Sequence, residues 1–298
     1  MGRRSRTPSH PSRSYASLAR ATLSEDRSGA DRTTAKVLPG PLPARAEVVA
    51  QARGVLSGGA AARAVAGAAG VRVRSGLPDG SPLRPGRVVL TLEGDARRIL
   101  AAERSILNLL MHASGVATAT ARAVLGARGA RPPLEVWATR KTLPGLRDLE
   151  KAAVRHGGGH PHRRDLADGL LIKSNHLALV PLEIAIGRAR VRARRGERVE
   201  VEVRTRTEAL RAARAGAAAL LIDNASPARA RAIVHGLELA GLRAGRWIEL
   251  SGGITPETVR RYRRVGANAV SLGALTHSAA ALPFHLRLRP VRLSHSRP

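Results

Sequence analysis

The chain has 298 residues, 43% of them hydrophobic and 24% charged, which is typical of a globular protein with one large or two medium domains. It has no cysteine, which excludes disulfides, thiol catalysis and cysteine-bound metal, and no apolar run of about 18 residues that would predict a membrane span. Only 2% of the residues are aromatic, so a core of Ala, Val, Leu and Ile is expected, which favours an α/β fold. We expect a protein of a reducing compartment such as the cytoplasm.

The formal net charge of +29 at pH 7 would ordinarily suggest a nucleic-acid-binding protein. Residues 1–30 hold six arginines and two acidic residues, so most of the excess charge is spread over the rest of the chain. The Arg-rich segment 188–198 keeps nucleic-acid binding open as an alternative, but no aromatic residues for base stacking are interleaved with it. We therefore expect neither a specific nucleic acid nor a membrane as a partner.

Lysine is rare in this chain, because the 51 basic residues include only four lysines. Where arginine is used almost everywhere, a retained lysine indicates a position that needs a compact ammonium group. Lys141 follows the β-type run at 133–140 and Lys173 follows the apolar run LLI at 170–172, so both are candidates for such positions. Lys36, in a turn-rich segment, and Lys151, on a helix that can be solvated on one face, are expected to accept arginine.

The N-terminal part of the chain shows three patterns in succession. Residues 1–21 are rich in Arg, Ser and Pro without an acidic residue, and the prolines favour a disordered basic arm over an organelle-targeting segment. Residues 33–100 alternate short apolar stretches with turn-rich segments, which predicts strands with a helix near residues 60–70. Residues 96–127 have sustained helical spacing and predict one or two long helices.

After residue 130, six short β-type runs alternate with amphipathic helical runs, which predicts a parallel sheet or barrel. One predicted helix covers residues 255–266, with Thr255 as its N-cap and Pro256 at its first position. The others lie near 146–157 and 226–241. The predicted strands cover residues 133–140, 169–175, 199–205, 218–224, 247–253 and 268–274.

Each predicted strand ends in polar residues, and parallel α/β folds bind their ligands at the carboxyl ends of the strands. Positive groups gather at the first two ends and call for a ligand with several negative charges. They are Arg140, Lys141, His162, Arg163 and Lys173.

The later strand ends complete this pattern. Glu202 and Asp223 could hold Mg²⁺, bond sugar hydroxyls or stabilise a developing cation. The glycine-rich segments 251–254 and 271–275 offer backbone N–H groups to a phosphate. Together the strand ends fit glycosyl or phosphoribosyl transfer.

The segment HGGGHPHRR at residues 156–164 has three interpretations: a metal site based on histidine, a backbone cradle for an anion, or a glycine linker. A zinc site is disfavoured because Arg163 and Arg164 would repel the cation and no acidic ligand is expected nearby. His156 and His160 are expected to be structural.

Several segments in order resemble the quinolinate phosphoribosyltransferase family over residues 22–281. The likeness is specific because many motifs occur in the right sequence. They are ERSILNLL (103–110), SGVAT (114–118), TRKTLPGLRDLEKAAVRHGGGHPHR (139–163), LIKSNH (171–176), VEVEV (199–203), IDNASP (222–227), SGGIT (251–255) and GALTHS (273–278).

The resemblance implies a fold, a reaction and an assembly. It implies an N-terminal α/β sandwich domain over residues 22–114, an incomplete parallel α/β barrel over 115–281, and a C-terminal extension over 282–298 that packs on the N-terminal domain. The implied reaction joins quinolinate to phosphoribosyl pyrophosphate and gives nicotinate mononucleotide, pyrophosphate and CO₂. Mg²⁺ carried by the pyrophosphate is implied, no organic cofactor is needed, and a homodimer or larger homo-oligomer shares its active sites.

The resemblance also implies roles for individual residues. Arg104 would reach the neighbouring subunit's site and contribute to quinolinate binding there. The remaining quinolinate-binding residues would be Thr139, Arg140, His162, Arg163 and Lys173. The phosphoribosyl and pyrophosphate groups would be bound by Lys141, Glu202, Asp223, Ser251, Gly252, Gly253, Gly273, Ala274 and Leu275, with the Mg²⁺ near Glu202 and Asp223.

Two positions depart from the family pattern. The family usually has an acidic residue where this chain has Ala138 and Ser174. Both departures remove negative charge near the cationic strand ends. A related homologue with another substrate therefore remains an alternative to the quinolinate enzyme.

Overall fold

The computed structural model describes residues 11–38 and 40–291, which form two compact units. Unit 1 contains the chain up to Thr118, Pro144–His156 and the chain from Ala280, and unit 2 contains Ala119–Leu143 and Gly157–Ala279. The helices are α1 Pro11–Glu25, α2 Arg32–Val37, α3 Gly59–Ala68, α4 Ala96–Ala127, α5 Arg147–His156, α6 Ser174–Leu177, α7 Leu182–Arg192, α8 Arg206–Arg214, α9 Pro227–Leu239 and α10 Ala274–His277. The strands are β1 Pro43–Ala50, β2 Gly54–Val55, β3 Arg72–Gly76, β4 Pro82–Leu83, β5 Val88–Asp95, β6 Glu135–Trp137, β7 Leu170–Ile172, β8 Val199–Val203, β9 Ala219–Asp223, β10 Trp247–Ser251, β11 Ala269–Ser271 and β12 Phe284–Pro290.

Unit 1 is built on a four-stranded antiparallel sheet with the order β12, β1, β5, β3. Along residues 43–48 of β1 buried and accessible residues alternate, because successive side chains of a strand point to opposite faces. Helices α1 and α3 pack against each other within this unit. The predicted N-terminal α/β sandwich is confirmed, whereas the predicted domain limits stay a prediction.

The beginning of the described chain differs from the expected disordered arm, which was to extend to residue 21. Helix α1 begins at Pro11, where a proline is tolerated because the first helical N–H groups have no intrahelical partner. Tyr15 and Ala19, four residues apart and so on one face of the helix, are both buried. This buried face explains why the segment is ordered as a helix, and residues 1–10 of the predicted arm lie outside the described residues.

Unit 2 is built on a six-stranded parallel sheet with the order β6, β11, β10, β9, β8, β7. All six strands lie inside the ranges predicted from the sequence. His160 adds a parallel bridge to Trp137 at the outer edge of β6. The α/β fold with a parallel, barrel-like second domain is therefore confirmed.

The strands of this sheet alternate between an apolar face and a polar face. Residues such as Val201, Ile222 and Leu250 belong to the apolar core that also contains side chains of α8 and α9. The residues next to them along the strands, among them Glu202 and Glu249, point to the opposite face. A strongly polar interior face is unusual for a buried parallel sheet and indicates a functional surface.

The predicted helix at 255–266 is wrong, because the chain forms only a 3₁₀ turn at Val259–Tyr262. The Thr255 N–H donates to the Thr258 hydroxyl over 2.9 Å, and that hydroxyl donates back to the Thr255 carbonyl over 3.2 Å. This local side-chain turn competes with helix formation. The same type of signal succeeds at α9, where the Ser226 hydroxyl caps the helix by accepting from Arg229 N over 3.3 Å.

Among the described residues, no helix has both the length and the apolar character required to cross a membrane.

Candidate active site

The carboxyl ends of β7, β8 and β9 carry a connected group of charged side chains. Lys173 Nζ lies 3.5 Å from Glu202 Oε2, and the Ser174 N–H donates to Glu202 Oε1 over 3.4 Å. Arg204 bridges two carboxylates, since its Nη2 is 3.7 Å from both Glu202 Oε1 and Asp223 Oδ2. The structure thus brings the predicted residues Lys173, Glu202 and Asp223 to one edge of the sheet.

Lys141 lies at the same edge, next to the segment that follows β11. The Thr276 hydroxyl in α10 donates to the Lys141 carbonyl over 2.7 Å, and Lys141 N donates to the Thr139 hydroxyl over 3.0 Å. A Cβ on Gly273 would come within 3.0 Å of Lys141 Cδ. Glycine at this position therefore leaves space for the lysine stem.

The SGG segment after β10 has a backbone that requires glycine. Gly252 and Gly253 have φ values of +87° and +63°, in the left-handed region that favours glycine. A Cβ on Gly252 would also collide with the side chain of Asn224. Asn224 donates in turn to Asp223 Oδ2 over 2.8 Å, so the glycine turn and the carboxylate are held together.

The second glycine segment, residues 273–275, can offer a ligand only its backbone groups. Leu275 has a fully buried side chain that packs in the apolar core, so only its main chain can face a ligand. Gly273 and Ala274 stand at the start of α10, where N–H groups lack an intrahelical partner. The predicted phosphate-binding residues are thus placed at the carboxyl ends of β10 and β11.

Two guanidinium groups approach each other in unit 2. Burial lowers the pKa of Arg163, and the positive charge of Arg140 lowers it further, while Glu200 and Asp168 oppose this effect. The Nε atom of Arg140 is buried and has no hydrogen-bond partner among the described residues. A buried donor without a partner next to a second cation indicates a place for an anionic ligand.

The His162 side chain is largely shielded from solvent and contacts the polar face of the sheet. Its Nε2 lies 3.2 Å from Glu249 Oε1, and its side chain is only 11% exposed. The Arg163 N–H donates to His162 Nδ1 over 2.6 Å. Both ring nitrogens are therefore engaged within the chain, and the predicted contact between His162 and a substrate carboxylate stays a prediction.

The expectation that no acidic residue lies near the histidines is wrong. Ligand atoms of His162, Glu200 and Glu249 lie within 4.8 Å of one another. These carboxylates come from distant strands, β8 and β10, so the local sequence could not reveal them. Because His162 Nδ1 accepts a hydrogen bond, its Nε2 carries the proton and has no lone pair for a metal ion. The arrangement still disfavours zinc.

A cavity of about 390 Å³ opens beside these groups inside unit 2. It is lined by both tryptophans of the chain, whose ring centroids are 5.8 Å apart. The Trp137 ring stacks on His160 at 5.3 Å and meets His162 edge-on at 5.4 Å. The cavity is therefore a mixed aromatic and charged space on the polar face of the sheet.

Glu200 is the most perturbed acid of this cavity. Burial, and after it the negative charge of Glu249, raises the pKa of Glu200 to about 8, although Arg163 and Lys173 oppose the shift. Its Oε1 is buried and has no hydrogen-bond partner among the described residues. Glu200 is therefore largely protonated at neutral pH.

Sequence reasoning missed four polar residues of this region: Arg204, Asn224, Glu200 and Glu249. Period-two spacing could have revealed Glu200, which lies on the same strand face as Glu202. A charged residue inside the otherwise buried run IEL marks Glu249. No local signal identifies Arg204, because its importance depends on two strands coming together.

The two histidines expected to be structural do make contacts within their own units. His156 Nδ1 lies 2.8 Å from the Ser57 hydroxyl, and burial lowers the pKa of His156. His160 Nε2 lies 3.7 Å from Glu135 Oε2. Lys151, expected to be solvated, is instead buried with 4% exposure, so arginine will not be accepted there without repacking.

Sequence comparisons agree with this geometry. The profile of the quinolinate phosphoribosyl transferase N-terminal domain matches residues 31–114, and that of the C-terminal domain matches residues 116–287. The chain belongs to the quinolinate phosphoribosyltransferase family. The resemblance stated from the motifs is thus confirmed.

Relatives in this family align over nearly the whole chain. A probable carboxylating nicotinate-nucleotide pyrophosphorylase of Methanothermobacter thermautotrophicus is 39% identical and covers 92% of this chain and 99% of its own. The carboxylating nicotinate-nucleotide pyrophosphorylase of Homo sapiens is 36% identical, with 93% of each chain covered. The crystal structure of NadC from Streptococcus pyogenes superposes with a TM-score of 0.86 at 34% identity, over 96% of this chain and 100% of that one.

Proposed function

We infer that the chain transfers the phosphoribosyl group of phosphoribosyl pyrophosphate to quinolinate, releasing pyrophosphate and CO₂ and giving nicotinate mononucleotide. This is the carboxylating nicotinate-nucleotide pyrophosphorylase reaction of NAD biosynthesis, and the enzyme is a phosphoribosyltransferase. The observation that supports it best is the buried, unpartnered Nε of Arg140 beside the repelling charge of Arg163. A dicarboxylate would place a negative charge against each of the two guanidinium groups.

The role of each side chain in this reaction follows from its charge. Arg140, Arg163 and Lys173 bind the two carboxylates of quinolinate, with Thr139 and His162 beside them. The pyridine nitrogen attacks the ribose carbon as the bond to pyrophosphate breaks, and Lys141 faces the leaving pyrophosphate. The pyridinium then takes up the electron pair of the breaking bond to the departing carboxylate, and a proton replaces CO₂ on that ring carbon.

The carboxylates serve the sugar side of the reaction. Glu202 and Asp223 accept hydrogen bonds from the ribose hydroxyls, and their negative charge stabilises the cation that develops on the ribose. Arg204 and Asn224 keep the two carboxylates in place. The backbone of Ser251–Gly253 and Gly273–Leu275 holds the 5-phosphate through N–H groups.

Magnesium fits this region as a companion of the substrate. Glu202 and Asp223 are oxygen donors of the type that Mg²⁺ prefers, but each is already paired with cationic or amide groups of the chain. We therefore propose that the pyrophosphate oxygens carry the ion, which neutralises the charge of the leaving group when bound. We also propose a homodimer or larger assembly with shared sites, to which Arg104, exposed on α4, contributes across the interface.

The substrate assignment predicts strong discrimination between two pyridine acids. Quinolinate should be consumed in a Mg²⁺-dependent reaction with release of CO₂, whereas kcat/KM for nicotinate should be at least about a hundredfold lower. Nicotinate lacks the second carboxylate and would leave part of this cationic site without its counter-charge. Chromatography of the pyridine products measures both rates in one assay, and equal turnover of nicotinate or no turnover of quinolinate would refute the assignment.

A second prediction tests whether the rare lysines are required as lysines. Lys141→Arg and Lys173→Arg should each lower kcat/KM at least about tenfold, or about 1.4 kcal/mol of transition-state stabilisation. The longer side chain and planar guanidinium of arginine would disturb the packing of residue 141 against Gly273 and the 3.5 Å contact of residue 173 with Glu202. Lys36→Arg, at an exposed position, is the matched control and should keep wild-type rates. Wild-type rates in both site variants would show that only the charge matters.

A further inference from the structure

Glu249 occupies a position where an acidic residue needs a reason. It lies in the middle of β10 and is 1% exposed, with the apolar residues Ile248 and Leu250 on either side. Burying a carboxylate in a strand centre carries a large desolvation cost that must be offset by a partner. The partner is His162, whose Nε2 lies 3.2 Å from Glu249 Oε1.

The contact continues from the His162 ring into the backbone. His162 has a φ of +57°, a left-handed conformation that is uncommon for a residue with a side chain. In this conformation its Nδ1 accepts the N–H of Arg163 over 2.6 Å. The ring is thus fixed at one end by Glu249 and fixes the Arg163 backbone at the other.

We propose that Glu249 is a positioning residue for quinolinate: it holds the His162 ring, which sets the Arg163 backbone so that the Arg163 guanidinium lies beside Arg140. The inference rests on the function proposed above. Glu249 acts through its hydrogen bond and its side-chain length, and its effect on quinolinate binding passes through His162 to the substrate-binding Arg163.

Two conservative substitutions of Glu249 separate the effect of side-chain length from the effect of charge. Glu249→Gln keeps the length and an acceptor oxygen but loses the charge, whereas Glu249→Asp keeps the charge but shortens the side chain by one methylene. Positioning predicts that the Gln variant stays within about threefold of wild type. The Asp variant should raise KM for quinolinate at least about tenfold, while kcat and KM for phosphoribosyl pyrophosphate change less than about threefold.

A double-variant comparison tests whether Glu249 works through His162. In a His162→Ala background the contact is already lost, so Glu249→Asp should add less than about a twofold further rise in KM for quinolinate. Additive effects would overturn the proposal. An Asp variant that performs as well as the Gln variant, or a similar rise in KM for both substrates, would also overturn it.

The two tryptophans provide a readout that does not depend on turnover. They are the only two in the chain, and the Trp137 ring lies 5.4 Å from His162. Benzene-1,2-dicarboxylate has the two carboxylates of quinolinate but no ring nitrogen, so it can bind without reacting. Titrating it against tryptophan emission should show at least about tenfold weaker binding for the Asp variant and near-normal binding for the Gln variant.

The two assays distinguish failure of the inference from failure of the proposed function. A wild-type protein that binds the dicarboxylate but does not convert quinolinate would refute the function, and the order of Gln and Asp in the binding assay would still decide the role of Glu249. A wild-type protein that binds no dicarboxylate would overturn the inference as well.

Discussion

Arg140→Ala is expected to lower kcat/KM for quinolinate by two to three orders of magnitude, about 3–4 kcal/mol at 1.4 kcal/mol per factor of ten. The substitution removes a half-buried guanidinium whose buried Nε has no hydrogen-bond partner among the described residues and is therefore available to a carboxylate. It also leaves one substrate carboxylate without its counter-charge in a partly buried site. Steady-state kinetics with quinolinate varied at saturating phosphoribosyl pyrophosphate measure the effect.

The same substitution, Arg140→Ala, should not destabilise the unliganded protein. Burial, and after it the positive charge of Arg140, lowers the pKa of Arg163, so removing Arg140 relieves a repulsion and should leave Tm unchanged or raise it. Arg140→Lys keeps the charge without the planar donor group and should fall between wild type and alanine. Arg195→Ala, at an exposed loop position, is the control for loss of one positive charge. A fall in Tm together with a small kinetic effect would show that Arg140 is a structural residue.

The fold of unit 2 was predictable because its signals are local and periodic. Every strand from β6 to β11 was identified from β-type runs between amphipathic segments, and their polar carboxyl ends were identified with them. The helix expected at 255–266 failed because the Thr258 hydroxyl closes a turn there, which residue patterns alone do not reveal. Helix α1 was missed because its buried face, Tyr15 and Ala19, has meaning only against the rest of unit 1.

In the site, too, the residues placed by local sequence patterns were predictable, and those placed by tertiary contacts were not. Lys173, Glu202 and Asp223 end neighbouring strands, so the βα pattern alone was enough to bring them together. The contact between His162 and Glu249 joins residues 87 positions apart and depends on the order of strands in the sheet. The sequence showed that the HGGGHPHRR segment belongs near the site, but the side chain that holds it could be identified only from the tertiary structure.

The pH dependence of stability should report on Glu200. Burial and the charge of Glu249 raise its pKa from 4.5 to about 8, so the folded protein binds this proton more tightly than the unfolded chain does. The stabilisation is fully present below pH 4.5 and is lost as the pH rises towards 8. At about 1.4 kcal/mol per pKa unit the loss is a few kcal/mol, with about 5 kcal/mol as the ceiling.

Glu200→Gln removes the titrating group while keeping its shape, so its free energy of unfolding should rise relative to wild type between pH 5 and 8.5. Urea unfolding of both proteins at a series of pH values measures this difference, and a difference that stays constant with pH would contradict the prediction. The charge of Glu249 contributes to the raised pKa of Glu200, so Glu249→Gln should lower that pKa. The pH-dependent loss of stability should then end at a lower pH than in the wild type. Burial is the larger cause of the raised pKa of Glu200, so the Glu249→Gln variant should keep part of this pH dependence. The Glu200→Gln variant should lose the part that comes from titration of Glu200.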